Sequence, residues 1–114
     1  MKFHFDCVFY YVDDMEKAIS FYSEVLGLRL ASRDVVARFD LDGVLFELVP
    51  RHGKTKLAGD GNARLCLRVD DINQALELLK IKGIRTGEIR KVENGSLATF
   101  EDPDGNEICL WQYD

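Results

Sequence analysis

Val12-Asp13-Asp14-Met15 returns 57 positions later as Val69-Asp70-Asp71-Ile72, and Asp40-Leu41-Asp42-Gly43 returns 62 positions later as Asp102-Pro103-Asp104-Gly105. A strand-like apolar run follows the second stretch each time. The difference of five residues between the two offsets is variation in loop length. A sequence that repeats in this way predicts two copies of one structural unit, each of about 55 residues.

Each copy shows the same order of predicted elements: a strand, a helix and three further strands. In the first copy they are a strand at Cys7–Val12, a helix capped by Asp13 that ends at Gly27, and strands at about 28–33, 35–41 and 44–49. In the second they are a strand at about 63–69, a helix from Ile72 to near Gly83, and strands at about 87–92, 96–101 and 106–112. Two βαβββ modules predict an α+β fold, with a curved mixed sheet around a cleft.

The length of 114 residues suits a single domain, with module one at about 1–50, a Gly- and Lys-rich linker at 51–61 and module two at about 62–114. A formal net charge of -5 argues against nucleic acid as the main partner. No apolar run approaches the roughly 20 residues of a membrane span, and no secretory signal is recognised. Three cysteines cannot form a complete disulfide framework, so we expect reduced thiols in the cytoplasm.

The alternation of side chains along the strands predicts two different faces. Residues assigned to the helix side are apolar or aromatic: Val8, Tyr10, Val12, Phe46, Leu48, Leu65, Leu67, Val69, Ile108 and Leu110. The opposite face carries Phe5, Cys7, Phe9, Tyr11, Leu45, Glu47, Val49, Arg64, Cys66, Arg68, Glu107, Cys109 and Trp111. A polar and aromatic surface of this kind suits a small-molecule site, but it would equally suit a core between sheets or a subunit contact.

Three stretches resemble the glyoxalase and bleomycin-resistance type, the vicinal oxygen chelate superfamily. Residues 11–22 with Leu26-Gly27-Leu28 resemble the opening module, Val69-Asp70-Asp71-Ile72 resembles the start of the second, and residues 100–108 with Leu110-Trp111 resemble its closing strand. The resemblance implies the paired βαβββ fold and a small-molecule site. It implies no single reaction, because the superfamily includes lyases, epimerases, dioxygenases and metal-free drug-binding proteins.

Metal-dependent members take ligands from the first and fourth strands of each module, and the resemblance places those positions at Cys7, Glu47, Arg64 and Cys109. Only Glu47 fits the usual pattern, and it is the single candidate for a catalytic role. Arginine stays protonated and offers no lone pair, so we expect Arg64 to occupy the place of the metal and to pair with Glu47. The alternative is a divalent ion (Zn, Ni, Mn or Fe) on Cys7, Glu47 and Cys109.

We therefore expect a small-molecule-binding protein without a metal cofactor, and as the alternative a metal-dependent lyase, isomerase or dioxygenase with unusual Cys and Glu ligands. The expected ligand is a small, partly aromatic molecule that bears an anionic or oxygen-rich group. The predicted ligand-binding residues are Cys7, Phe9, Tyr11, Glu47, Arg64, Cys66, Arg68, Cys109 and Trp111. The resemblance also implies a homodimer, and neither nucleic acid nor membrane is an expected partner. His4 and His52, the two histidines, fall at no ligand position.

Overall fold

The structure, a computed structural model, describes residues 1–2, 4–51 and 64–114. The chain divides into two compact units, Met1–Leu57 and Ala58–Asp114. The predicted linker at 51–61 lies outside the described residues except for Arg51, and so does His52. The single-domain arrangement stays a prediction, and each unit is described by itself.

Unit 1 is a four-stranded mixed sheet with one helix. Its elements are β1 (Cys7–Val12), α1 (Met15–Ser20) continuing as a π-helical turn (Phe21–Val25), β2 (Leu30–Arg33), β3 (Ala37–Leu41) and β4 (Val44–Pro50). The strand order is β1-β4-β3-β2. β1 runs parallel to β4, with Cys7 opposite Leu45 and Phe9 opposite Glu47, and the other neighbours are antiparallel.

Unit 2 repeats this topology. Its elements are β5 (Leu65–Arg68), α2 (Ile72–Ile81), β6 (Arg90–Val92), β7 (Gly95–Glu101) and β8 (Glu107–Tyr113). The strand order is β5-β8-β7-β6, and β5 runs parallel to β8. The predicted α+β fold of two βαβββ modules is thus confirmed, with one four-stranded sheet in each module. In the described part of the chain, no helix is long and apolar enough to cross a membrane.

The helix starts correct one prediction. Asp14, not Asp13, is the N-cap of α1: its backbone is extended and its carboxylate accepts a hydrogen bond from Lys17 N at 3.1 Å. Asp71 caps α2 in the same way, through Gln74 N at 3.0 Å. Asp13 instead lies 3.2 Å from the Arg51 guanidinium.

The first helix also differs from the regular helix that was predicted, because its last turn is wider. Leu26 N donates to the carbonyl of Phe21 at 3.1 Å, five residues back, which is the π-helical spacing. The consecutive aromatics Phe21 and Tyr22 are both buried there. The helix then ends as predicted at Gly27, whose φ of 73° favours glycine.

The core of each unit lies between its helix and one face of its sheet. In unit 1 the Tyr22 ring packs against Phe46 and Phe39, with ring centroids 5.0 Å and 6.0 Å apart. In unit 2 the buried side chains include Ile72, Leu79, Ala98, Phe100, Ile108 and Leu110. Every described residue assigned to the helix side is at least half-buried, so that side of the prediction is confirmed.

The predicted strands at 28–33, 35–41 and 87–92 start two or three residues late, at Leu30, Ala37 and Arg90. The Asp34 carboxylate accepts a hydrogen bond from Val36 N at 2.9 Å, so β3 begins at Ala37 and not at Val35. In unit 2 only Arg90–Val92 of the predicted 87–92 strand pairs regularly, while Thr86 makes an isolated bridge to Phe100. The predicted polar faces are unaffected, because no ligand-binding residue lies in these segments.

Candidate functional site

The face of the unit 1 sheet that is turned away from α1 carries the predicted polar and aromatic residues, and we call it the open face of unit 1. Its members are Cys7, Phe9, Tyr11, Arg38, Asp40, Leu45, Glu47 and Val49. Phe9 and Tyr11 meet edge to face with centroids 5.3 Å apart, and Phe9 is 45% exposed. Phe5 lies just before β1 and is also exposed.

Glu47 is held by an arginine that was not predicted as part of the site. The Arg38 Nε atom lies 3.3 Å from Glu47 Oε2, directly across from it in the antiparallel β3–β4 pair. The same guanidinium lies 3.1 Å from an oxygen of Asp34. Only 15% of the Glu47 side chain is exposed, so the pair is partly desolvated and less screened by solvent and salt than a surface ion pair. Alternation along β3 was the available signal, since Ala37 and Phe39 are buried and Arg38 lies between them.

Cys7 belongs to the same cluster through Glu47. Desolvation in its half-buried position raises the pKa of the Cys7 thiol, and the negative charges of Glu47 and Asp6 raise it further. At neutral pH the Cys7 thiol therefore keeps its proton, which is a poor starting state for a thiolate ligand or a nucleophile.

Replacement of Glu47 by glutamine should make Cys7 more reactive. The change removes a negative charge beside the thiol and leaves the positive charge of Arg38 in place, so the thiolate is less disfavoured. We expect iodoacetamide to alkylate Cys7 roughly threefold faster at mildly alkaline pH. Peptide mapping by mass spectrometry measures the rate.

The matched control is Asp40→Asn. Asp40 lies on the same open face, but Leu45 of β4 separates it from Cys7. Its replacement should leave the alkylation rate of Cys7 unchanged. Equal acceleration in both variants would mean that the overall charge of the face, and not the Glu47 contact, controls the thiol.

The corresponding open face of unit 2 carries the other predicted site residues. Its members are Arg64, just before β5, and Cys66, Arg68, Leu97, Thr99, Glu107, Cys109, Trp111 and Tyr113. Arg64 Nε lies 3.4 Å from Glu107 Oε1. Arg68 is the register partner of Trp111, so an exposed cation and a large aromatic ring lie side by side on this face.

The Trp111 indole lies close to the backbone of β7 because Gly95 has no side chain. A Cβ atom at Gly95 would lie 2.6 Å from Cζ2 and 2.9 Å from Cη2 of the indole. The Tyr113 ring meets Trp111 edge to face, with centroids 5.4 Å apart. Gly95, Trp111 and Tyr113 thus form an aromatic platform next to Arg68, and Gly95 and Tyr113 were not among the predicted site residues.

Cys66 and Cys109 are direct neighbours. They are register partners in the parallel β5–β8 pair, and both thiols are free. Burial raises the pKa of Cys109 to about 11, and the neighbouring Cys66 thiol contributes to this shift through its charge and through hydrogen bonding. Glu107 raises this pKa further, while Arg90 opposes the shift.

The donors present fit the superfamily's metal poorly. Among the described residues, no three side chains of the His, Cys, Asp and Glu types lie close enough to hold an ion. Glu47 is ion-paired to Arg38, Cys7 holds its proton, and Arg64 cannot be a ligand. His4 is exposed before β1. The Glu47–Arg64 pair joins residues of different units and stays a prediction.

The chain contains two βαβββ units. Each has its helix on one face of a mixed sheet and polar side chains on the other face. This arrangement defines the class of proteins that are built from paired βαβββ modules. Residues 4–110 match the glyoxalase/bleomycin resistance protein/dioxygenase superfamily. The match covers nearly the whole chain, and the chain belongs to this superfamily.

Several sequence relatives carry the name of one enzyme. The chain is 30% identical over 116 residues to a probable lactoylglutathione lyase of Vibrio parahaemolyticus, covering 89% of this chain and 84% of that protein. It is 33% identical over 112 residues to a lactoylglutathione lyase of Haemophilus influenzae, covering 85% and 83%. A probable chloroplastic lactoylglutathione lyase of Arabidopsis thaliana is 34% identical over 118 residues; these cover 90% of this chain but only 34% of that longer protein.

One similar solved structure carries the name of a binding protein. TnmS3, an antibiotic-binding protein from Streptomyces sp. CB03234, is 29% identical, with a TM-score of 0.78 over 99% of this chain and 98% of that one. A glyoxalase family protein from Bacillus anthracis has a TM-score of 0.82 at 16% identity, which supports the fold alone. The relatives thus include both named lyases and a binding protein.

Proposed function

We propose that this protein binds a small aromatic anion without a metal cofactor. The observation that carries the proposal is the Arg38–Glu47 ion pair at 3.3 Å. Of the four positions that correspond to metal ligands in the superfamily, only Glu47 has the usual residue, and the Arg38 guanidinium is paired with it. A cation placed on Glu47 would have to displace Arg38 or lie beside its positive charge, and both are unfavourable.

The ligand class follows from Arg68 and the aromatic platform. The Arg68 side chain is exposed and makes no ion pair with a described residue, so its charge can meet an anion. Trp111 offers a ring face for stacking beside it. Phe9 and Tyr11 form a separate aromatic pair on the open face of unit 1.

Replacing Arg68 should weaken the binding of an aromatic carboxylate. We expect Arg68→Gln to raise the Kd for 2-naphthoate by about tenfold, since a charge-assisted hydrogen bond contributes roughly 1.5–3 kcal/mol. Titration calorimetry or NMR titration measures the Kd. The uncharged 2-naphthamide should bind both proteins equally, because it lacks the anion.

Arg85→Gln is the protein control. Arg85 is exposed and lies between α2 and β6, and it is not a register partner of any platform residue. If both arginine variants lose carboxylate binding, the loss reflects the net charge of the protein and not a contact with Arg68. If wild-type protein prefers the amide to the carboxylate, the anion assignment is wrong.

The metal is tested separately by elemental analysis. The untagged protein is incubated with Zn²⁺, Ni²⁺, Mn²⁺ or Fe²⁺, desalted and analysed. We expect far less than one retained ion per chain. One retained ion that is lost in Glu47→Ala would overturn the proposal and favour a site on Cys7, Glu47 and Cys109.

A metal-dependent lyase is the second candidate, and the names of the three sequence relatives favour it. Assays for formation or breakdown of lactoylglutathione with each metal test it directly. Turnover that requires Glu47 would establish the enzyme. Absence of turnover together with naphthoate binding supports the binding protein.

The proposal includes a cytoplasmic homodimer that does not bind nucleic acid. Three free thiols suit a reducing compartment, and the net charge of -5 disfavours phosphate backbones. A dimer would allow open faces of two copies to come together. Light scattering coupled to size-exclusion chromatography measures the mass, and a monomer at all concentrations would contradict this part.

A further inference from the structure

We propose that Cys66 and Cys109 form a redox-active pair that reacts with small-molecule disulfides. Cys66 is the residue that is first thiolated, and Cys109 is the thiol that then closes a disulfide between β5 and β8. This inference does not rest on the proposed ligand, because it concerns only the two thiols and their strands.

The sheet geometry brings the thiols within reach of each other. Cys66 and Cys109 are register partners, and neighbouring strands lie about 4.8 Å apart, inside the range of Cα separations of disulfides. Both side chains project to the same face of the sheet, because the two residues are register partners.

The surroundings assign different roles to the two thiols. Cys66 is exposed, whereas Cys109 is half-buried and its Sγ lies 3.6 Å from the Leu110 carbonyl as a donor. An incoming disulfide reaches Cys66 more readily than Cys109, because more of the Cys66 side chain is open to solvent. The exposed thiol therefore attacks first.

The reaction balances as two exchanges. The Cys66 thiolate attacks a low-molecular-weight disulfide such as oxidised glutathione, forms a mixed disulfide and releases one thiolate, which takes up the proton that Cys66 had lost. The Cys109 sulfur then attacks Cys66 Sγ and expels the second thiolate, which takes up the proton from Cys109. The protein dithiol is oxidised by two electrons and the small disulfide is reduced to two thiols.

The test uses the full chain with Cys7→Ser, which removes the third cysteine. After incubation with oxidised glutathione, intact mass spectrometry should show the loss of two hydrogen atoms, and peptide mapping should find a Cys66–Cys109 link that dithiothreitol reverses. Adding Cys109→Ser should trap a stable glutathione adduct on Cys66. Adding Cys66→Ser instead should slow adduct formation by about tenfold, because the remaining thiol, Cys109, is half-buried and less accessible to glutathione.

Three results would overturn the inference. They are a lasting mixed disulfide on Cys66 with Cys109 intact, disulfide-linked dimers in place of the internal link, or fast thiolation of Cys109 in the absence of Cys66. Circular dichroism of each variant before oxidation establishes that it is folded. The test measures a covalent change in mass. A negative result would therefore not affect the conclusions from naphthoate binding or from metal analysis.

Discussion

Asp102→Ala should lower the free energy of unfolding by about 2–4 kcal/mol, because it removes a buried acceptor of three hydrogen bonds. The Asp102 carboxylate is 5% exposed and accepts from Asp104 N at 2.9 Å, Asn106 N at 2.8 Å and Asn106 Nδ2 at 2.9 Å. Asn106 is itself 7% exposed, so water cannot easily replace the lost acceptor. Urea unfolding followed by circular dichroism measures the change.

The internal repeat supplies a matched control. Asp40 occupies the equivalent turn in unit 1, but among the described residues its carboxylate accepts a hydrogen bond only from Gly43 N, at 2.8 Å. It also lies 3.7 Å from an Arg29 nitrogen in a partly exposed position. Asp40→Ala should cost less than about 1 kcal/mol. Asp102→Asn should be intermediate, since the amide keeps one oxygen acceptor but presents its NH₂ to the Asn106 amide. If the two alanine variants lose equal free energies of unfolding, the buried hydrogen bonds of Asp102 contribute no extra stability.

Gly95→Ala should destabilise unit 2 by about 1–3 kcal/mol and displace the Trp111 ring. The new Cβ would lie 2.4 Å from the carbonyl oxygen of Gln112, a backbone atom that cannot move without disturbing the β7–β8 pair. It would also lie 2.6 Å from the indole. Trp111 is the only tryptophan, so its fluorescence reports this site alone, and we expect a shift to longer wavelength as the ring becomes more exposed.

Gly87→Ala is the control for this substitution. A Cβ at Gly87 would meet Thr99 atoms no closer than 3.5 Å, which is ordinary contact, and the hydrogen bond from Gly87 N to Thr99 O involves only the backbone. We expect a change within about 0.5 kcal/mol and unaltered fluorescence. If Gly95→Ala also leaves the emission unaltered, the indole does not lie against β7 as described.

The faces of the strands were predictable because each sheet has one face packed against its helix. Phe46 and Leu48 had to be buried, so Glu47 between them had to lie on the other face. The same rule applied to β3 would have found Arg38. The N-cap was wrong by one residue because Asp13 and Asp14 can both cap, and only the backbone geometry distinguishes them.

The contacts within the site were not predictable in the same way. Alternation puts Cys66, Cys109 and Trp111 on one face, but which of them touch depends on the register between strands that are more than 40 residues apart in sequence. That register pairs Cys66 with Cys109 and Arg68 with Trp111. The packing of Trp111 on Gly95 depends in addition on a rotamer and on the absence of a Cβ atom.

The sequence by itself determined the repeat, the order of elements, the superfamily and the division of each strand into buried and open residues, because these depend on local periodicity and on burial. Only the tertiary structure decided that Glu47 pairs with Arg38, that Arg64 pairs with Glu107 and that two cysteines adjoin. The physical reason is that charge pairs and thiol pairs form across strands, where the alignment of distant segments sets the distances between side chains.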